Sequence, residues 1–258
     1  MAAKKSTPST PETISDILQV TTGEFSVCLL GTSPLFFNCM SDRAQRELLM
    51  PRGRKNAVEK ATSLKHDPID EFRTSAEQTT EGPTLIVLSS AAFKGALRTA
   101  ALDMPGAKKA QIGRLTYVTG DVTSIYGVPK LDMRGVRSAD MNKTPDIRTR
   151  AIMPEWACEL TITFVRPLIQ AQAVANLLAA AGITIGVGDG RPEKGALSFG
   201  QFRLTDRNDP DVQRIMKTGA REAQVEAMAH PVCYNEKSTE LLAWYQAERG
   251  RRQLKGVA

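Results

Sequence analysis

The clearest strand pattern in the chain lies directly beside a helix pattern in CELTITFVRPLIQAQAVANLLAAAG, residues 158–182. Its first ten residues, 158–167, alternate between large apolar and smaller side chains, which predicts a strand with one face in the core. Residues 169–182 repeat apolar side chains at helical spacing, and we predict a helix that ends with Gly182 in the C′ position. The apolar face of this helix consists of Val174, Leu177, Leu178 and Ala181. A strand followed directly by an amphipathic helix is a building unit of mixed α and β folds.

The other elements complete a known order. Short runs rich in β-branched and aromatic residues are interspersed with helical patterns, in the order strand, insertion, helix, strand, strand, helix, strand. This is the βαββαβ order of a ferredoxin-like or RRM-like domain, so the predicted fold class is α+β. Two helices on one face of the antiparallel sheet would leave its other face free to bind. The other predicted strands lie at 25–31, 35–38, 85–88, 114–118, 183–187 and 199–204, and residues 122–137 are predicted to be extended with a break at Gly127-Val128-Pro129.

The chain divides into three predicted parts. Residues 1–13 are rich in Ser, Thr and Pro, and we expect a disordered arm. Residues 14–205 form the RRM-like domain, with a polar insertion at 41–82 whose first helix is capped by Ser41. Residues 206–258 form a C-terminal helical extension. Three further segments complete this prediction, namely a polar loop at 138–150 and helices at 210–229 and 236–249.

The composition is that of a globular protein, since 41% of the 258 residues are hydrophobic and 24% are charged. No apolar run approaches a membrane span, and the N-terminus lacks an apolar signal region. The four cysteines form no CxxC pair, which favours a reducing cytoplasm. The net charge is only +6, but segment 94–114 holds five bases against one acid, and 249–258 holds four bases and no acid. Clustered cations of this kind suit a polyanion such as nucleic acid.

The sequence contains few candidates for catalysis. His66 and His230 are the two histidines, and neither has metal-ligand spacing. There is no nucleophile elbow, and no cysteine has a histidine nearby in sequence. Asp67, Asp70 and Glu71 are candidate Mg²⁺ ligands, although acidic loop residues are common. We therefore predict a non-enzymatic chain without a metal or cofactor.

One candidate phosphate site is the helix in SSAAFKGALRTA, residues 89–100. Ser89 or Ser90 is a natural N-cap, and a helix N-terminus presents free N–H groups and a partial positive charge. Lys94 and Arg98 are four residues apart on this helix, where both could contact a phosphate backbone. The structural alternative is an ordinary amphipathic helix with exposed bases.

A second candidate is the Gly-rich loop GVGDGRPEKGALSFGQF, residues 186–202. A strand follows it, so it matches neither the dinucleotide-binding fingerprint nor a P-loop. Glycines let the backbone approach a ligand closely, and N–H groups can form a phosphate nest. Gly188, Arg191 and Lys194 are its candidate residues, and a flexible hairpin is the structural alternative.

These two features together resemble the RAMP superfamily of CRISPR effector subunits, which are RNA-binding proteins with modified RRM folds. The resemblance lies in two serines, a Lys-Gly pair and an arginine, here SSAAFKGALR at 89–98. It extends to a late Gly-rich loop, here Gly186-Val187-Gly188 and then SFGQF at 198–202. The likeness covers roughly residues 25–205, with an insertion where the repeating backbone subunits carry one.

The resemblance implies a backbone subunit that oligomerises along a guide RNA as a helical filament, within a ribonucleoprotein of antiviral defence. Its implied partners are the guide RNA with its target strand, further copies of the chain and other effector subunits. A thumb-like hairpin or groove wall would come from residues 122–150, and a compact phage or plasmid version fits the chain length. The residues implied in RNA binding are Ser89, Ser90, Lys94, Arg98, Lys130, Arg134, Arg137, Gly188, Arg191 and Lys194.

Three other functions stay open from the residues alone. The same fold could serve a phage single-strand DNA-binding or annealing protein. Asp67 and Asp70 could serve a metal-dependent nuclease, and the basic patches could be mere surface on a phage structural protein. The low aromatic content, 5%, argues against a base-stacking platform. Tyr117 and Tyr126 are the candidate stackers, with core packing as the alternative for both.

Overall fold

The computed structural model describes residues 18–50, 66–137, 144–194 and 197–252. The predicted arm at 1–13 lies outside the described residues. Three predicted segments also lie partly outside them, namely the insertion at 41–82, the loop at 138–150 and the basic tail at 249–258.

The described residues alternate between strands and helices along the chain. The strands are β1 (Thr21–Gly31), β2 (Leu35–Phe36), β3 (Glu77–Gln78), β4 (Ile86–Ser89), β5 (Thr116–Val118), β6 (Val122–Ser124), β7 (Lys130–Arg137), β8 (Pro145–Met153), β9 (Ala157–Arg166) and β10 (Phe202–Thr205). The helices are α1 (Asp42–Leu49), α2 (Pro68–Thr74), α3 (Ser90–Ala100), α4 (Lys109–Leu115), α5 (Ala171–Thr184), α6 (Pro210–Thr218), α7 (Arg221–Ala229) and α8 (Glu236–Arg252). A short 3₁₀ turn spans Pro192–Lys194.

The main sheet has four antiparallel strands in the order β10-β1-β9-β5. The long pair β1–β9 forms its centre, with Thr21 opposite Arg166 and Leu30 opposite Ala157. Together with α3 and α5, these strands follow the βαββαβ path of a ferredoxin-like domain. The predicted α+β fold class is confirmed.

The core lies between this sheet and the two helices α3 and α5. Alternate residues of β9 point into it, and Leu160, Ile162 and Phe164 are almost completely buried. Phe93 and Leu97 of α3 complete the same cluster with the apolar face of α5. Burying these large side chains is the main stabilising contribution to the fold.

Two smaller sheets stand beside the main one. The order of one is β2-β8-β7, and that of the other is β3-β4-β6. The predicted strand at 85–88 therefore exists as β4, but it pairs outside the main sheet before the chain enters α3.

Two segments predicted as polar loops are folded. In 138–150, residues from Pro145 onward form β8, which pairs along its length with β7. In the insertion at 41–82, α2 packs against β8 and buries Phe72 completely. Ser41 caps α1 by accepting a hydrogen bond from the Ala44 amide, as predicted. Pairing with distant residues, rather than local periodicity, makes these segments regular.

The end of α5 also differs from the prediction. The helix continues through Gly182 to Thr184, so no strand forms at 183–187. An added Cβ at Gly182 would lie 2.2 Å from the Phe202 carbonyl oxygen, which shows that this glycine lets helix and sheet approach closely. Gly186, with φ +71°, follows the C-cap Ile185 and takes the left-handed position that we assigned to Gly182.

The C-terminal helices pack onto the sheets. Val212 and Ile215 of α6 are buried against Cys28, Leu30 and Ala157, so part of the second sheet face is covered. We had expected the whole of that face to be free to bind, and the structure shows that α6 covers part of it. Within the described ranges, no helix has the length and apolar character needed to cross a membrane.

Candidate nucleic-acid interface

One set of cations lies on two neighbouring helices, and we call it the α3–α4 surface. No ion pair links any of its members to a carboxylate among the described residues. Unpaired and at least partly exposed, these cations give the surface a net positive charge. The α3–α4 surface comprises Lys94, Arg98, Lys108, Lys109 and Arg114.

The packing of α3, α4 and β5 holds this surface together. The Lys94 Nζ lies 4.3 Å from the ring centroid of Tyr117, which is 47% exposed on the edge strand β5. The Tyr117 hydroxyl donates to the Arg114 carbonyl oxygen at 2.8 Å. The Arg98 side chain extends across Gly113, where an added Cβ would approach its Nε to 2.7 Å.

The two serines before α3 have different surroundings. Ser89 occupies the N-cap position, but its side chain makes no capping hydrogen bond. Ser90 is 3% exposed, and its hydroxyl lies 3.0 Å from that of Thr123. Ser90 therefore contributes to the fold, and its side chain is not on the predicted phosphate-binding surface.

The Gly-rich loop closes on its own chain. At Gly188, with φ +77°, an added Cβ would lie 2.6 Å from both the Phe36 carbonyl oxygen and a Leu35 methyl group. The amide of Asp189 donates to Phe36, and that of Gly200 donates to Pro34. These two amides are therefore not available to the predicted phosphate nest, and Gly188 permits close packing of the loop on β2.

The loop cations are divided between two roles. Arg191 donates to the Gly188 carbonyl oxygen and to a carboxylate oxygen of Glu193, both at 2.9 Å. Arg191 thus stabilises the loop from within. Lys194 is exposed at the end of the 3₁₀ turn.

Two arginines of the β7–β8 hairpin point toward this loop, in a group that we call the arginine cluster. Arg134 donates to both carboxylate oxygens of Asp132, and Arg150 pairs with Asp189. Their guanidinium carbons lie 4.5 and 5.0 Å from the ring centroid of Phe36. The arginine cluster, defined as Asp132, Arg134, Arg150, Asp189 and Phe36, links the hairpin to the Gly-rich loop.

Burial makes Arg150 unusual. It is 7% exposed, and desolvation lowers the pKa of its guanidinium, while the nearby Asp189 opposes that change. The Arg150 Nε and the Thr149 Oγ1 are both buried without a hydrogen-bond partner in the described structure. A cation in this position holds two segments together and is not available to an external polyanion.

The structure therefore separates the predicted site residues into two groups. Lys94 and Arg98 lie near β5, at one edge of the main sheet, whereas the Gly-rich loop leads into β10 at the other edge. On the hairpin, Lys130 is half-buried and Arg137 is exposed.

On the sheet face away from α3 and α5, the central strands β1 and β9 carry no cation. Hydroxyls dominate its centre, where those of Ser26 and Thr161 lie 2.9 Å apart and Thr163 donates to Glu24 at 3.4 Å. Tyr126 is half-buried against the cluster that α6 covers. Phosphate binding by charge is consequently favoured at the helices rather than on this face.

The residues of the nuclease alternative are engaged in local structure. Asp67 caps α2 by accepting from the Asp70 amide at 3.3 Å. His66 lies between Glu71 and Asp146, at 2.7 and 3.0 Å. The hydrogen bond and charge of Glu71 raise the pKa of His66, with Asp146 adding to this effect against partial burial. The described residues contain no group of three or more His, Cys, Asp and Glu side chains suited to a metal ion.

The sequence did not predict the acidic partners of the arginines, nor the two carboxylates that bond to His66. Asp132 precedes Arg134 by two residues, a spacing that places both on one face of a strand, so a local signal existed. Asp189 and Asp146 are 39 and 80 residues from their partners Arg150 and His66, and no spacing indicates such contacts.

No family model matches the chain, and no curated protein sequence matches it. Among solved structures, its fold is similar to the crystal structure of Cmr6 from Pyrococcus furiosus. That match covers 73% of this chain and 100% of the Cmr6 chain, at 8% sequence identity and a TM-score of 0.35. Because the likeness is so low, we base the functional proposal on the chain's own residues.

Proposed function

We propose that this chain is a non-catalytic RNA-binding subunit that oligomerises along a guide RNA in a CRISPR-type ribonucleoprotein. One observation carries the proposal. The bases of segment 94–114 fold onto the α3–α4 surface, where no described carboxylate pairs with them. Unpaired cations on adjacent helices can replace the counterions of a nucleic-acid backbone.

The sheet topology supports the same proposal. The chain follows the βαββαβ path expected of an RRM-like domain. The SSAAFKGALR stretch at 89–98, one of the two motifs that resemble RAMP proteins, forms the junction of β4 and α3. Lys94 and Arg98, the bases of that stretch, belong to the α3–α4 surface. Recognition would depend on phosphates and strand shape, since few aromatic side chains are available for stacking.

The residues proposed to contact phosphate are fewer than the sequence implied. Ser90, Arg191 and Arg134 have partners within the fold, and Gly188 packs against β2. The proposed contacts come from the α3–α4 surface, with exposed cations of the hairpin and the Gly-rich loop as further candidates. These further candidates are Arg137, Arg148 and Lys194.

Salt-dependent binding tests the proposal. The double variant Lys94→Ala with Arg98→Ala should bind single-stranded RNA more weakly whatever its sequence, because two phosphate contacts are lost. The slope of log affinity against log salt concentration should flatten by about 1.4, the value for two contacts to a single strand. Fluorescence anisotropy across a salt series measures both quantities.

A matched control removes two charges elsewhere. Lys217 and Lys237 are exposed on α6 and α8, and replacing both by Ala should leave the slope unchanged. If the Lys94 and Arg98 variant binds like the wild type, the α3–α4 surface is not the contact. Copurified nucleic acid, digested with RNase or DNase and sized with its protein, tests for RNA and for assemblies whose size follows RNA length.

A further inference from the structure

An open cleft adjoins the α3–α4 surface, between α4 and the segment that leads into α5. Its volume is about 540 Å³, within the usual range for small-molecule sites. We call it the α4 cleft. Its lining consists of Lys108, Ala110, Gln111, Arg114, Leu115 and Leu168.

The α4 cleft combines an apolar floor with a basic rim. Leu115 and Leu168 provide apolar surface, and Leu168 is 49% exposed although it is a large hydrophobic residue. Lys108 and Arg114 flank this surface, and neither forms an ion pair with a described carboxylate. The exposed amide of Gln111 adds both a donor and an acceptor.

The cleft is continuous with the cations proposed to hold the RNA backbone, because Arg114 belongs to both. The Nε of Arg114 donates to the Ala110 carbonyl oxygen at 3.3 Å, and the Arg114 carbonyl oxygen accepts a hydrogen bond from the Tyr117 hydroxyl. The ring of Tyr117 in turn contacts the Lys94 ammonium group. A strand whose phosphates follow the α3–α4 surface would therefore pass the mouth of the cleft, within reach of one of its bases.

We propose that the α4 cleft holds a nucleobase of the single strand, with the adjoining phosphate on Lys108 and Arg114. This rests on the proposed RNA-binding function and adds a contact to the base. A nucleotide matches the cleft in both parts, since the faces of its base are apolar and its phosphate is anionic. The amide of Gln111 lies where it can bond to a base edge.

Strands with and without bases provide the test. The full-length protein is titrated with a single-stranded oligoribonucleotide and with an abasic strand of equal length, and anisotropy gives both affinities. The wild type should prefer the base-bearing strand by about tenfold, the ratio that corresponds to roughly 1.4 kcal/mol. The double variant Leu168→Ala with Gln111→Ala should lose most of this preference and still bind the abasic strand like the wild type.

A control variant removes the same groups elsewhere. The control replaces both Ile183 and Gln246 by Ala. Ile183 is 67% exposed near the other end of α5, and Gln246 is exposed on α8. The preference for the base-bearing strand should persist in this variant. Each variant should fold, because all four replaced residues are exposed, and its melting temperature verifies this.

The outcomes separate the two proposals. If the wild type binds both strands equally, the cleft proposal is overturned and the proposed RNA-binding function stands. If neither strand binds, the proposed function is overturned and the cleft proposal with it. If the Leu168 and Gln111 variant keeps its base preference but changes oligomeric size, the cleft is an interface between copies and holds no base.

Discussion

The α3–α4 surface and the arginine cluster are both basic in sequence, but their cations have different partners. On the α3–α4 surface, Lys108 and Arg114 form no ion pair with a described carboxylate, and the surface stays charged. In the arginine cluster, Arg134 and Arg150 each have their own aspartate and pack against Phe36. A basic residue therefore indicates a polyanion site only where the fold leaves it unpaired and exposed.

The largest expected effect concerns Gly188, which the sequence assigned to phosphate binding and the structure assigns to packing. Gly188→Ala should destabilise the protein by about 2–4 kcal/mol, from its positive φ and from the clash with the Phe36 carbonyl. Urea unfolding measures this loss. A loss of RNA affinity without loss of stability would instead restore the loop as a phosphate site.

Gly95, which lies in α3, one of the two helices of the α3–α4 surface, provides the matched control for Gly188. It lies inside α3, and an added Cβ there would meet nothing within 4 Å. Gly95→Ala should therefore raise stability by about 0.5–1 kcal/mol, because alanine is the better helix former. A decrease in the free energy of unfolding for Gly188→Ala and an increase for Gly95→Ala would show that the loop glycine is needed for packing and the helix glycine is not.

A somewhat smaller effect is expected at Arg150. Arg150→Met keeps the unbranched stem of the buried side chain as far as the position of Nε but leaves Asp189 without its cation, so we expect a loss of about 2–3 kcal/mol. This loss is smaller than that for a fully buried pair because the Asp189 side chain is 37% exposed to water. Urea unfolding again gives the value, and the salt dependence of RNA binding should stay unchanged.

Arg148 is the control for Arg150, because it lies two residues away on β8 and is exposed. Arg148→Met should change the free energy of unfolding by no more than about 0.5 kcal/mol. Equal losses at Arg148 and Arg150 would contradict the division between paired and unpaired cations. A flatter salt slope for Arg150→Met would contradict it as well.

The sequence predicted those parts of the fold that local patterns determine. The alternation at 158–167 and the helical spacing at 169–182 come from neighbouring residues, and both elements form as β9 and α5. β8 was missed because its polar sequence becomes regular only through pairing with β7. α2 was missed because its burial depends on packing against β8.

In the candidate site, too, the sequence predicts what depends on neighbouring residues and misses what depends on distant ones. The density of bases on α3 and α4 is local, so the sequence could locate that surface. The pairing of Arg150 with Asp189 brings together residues 39 apart, and only the fold shows that this cation is neutralised. Charge read from sequence overestimates a binding surface wherever folding supplies a distant carboxylate.

The smallest expected effect concerns His66, which contacts Asp146 at the end of the same hairpin where Arg137 lies opposite Pro145. Glu71 and Asp146 raise the pKa of His66 above its ordinary value of 6.5, since each favours the protonated ring. The resulting stability is fully present below the unfolded-state pKa and is lost as the pH rises through the higher folded-state pKa. We expect a decrease of up to about 1 kcal/mol in the free energy of unfolding, measured by urea titration between about pH 6 and pH 8.5.

His66→Gln should abolish this pH dependence, because the amide keeps hydrogen-bonding capacity without a titrating charge. The matched control is His230→Gln, since His230 is exposed and lies 3.8 Å from Glu226 within one helix turn. This control should leave the dependence intact, as an exposed pair contributes little. If the dependence instead followed His230, the two carboxylates would not hold the proton on His66, and the contact of His66 with the hairpin would depend on packing alone.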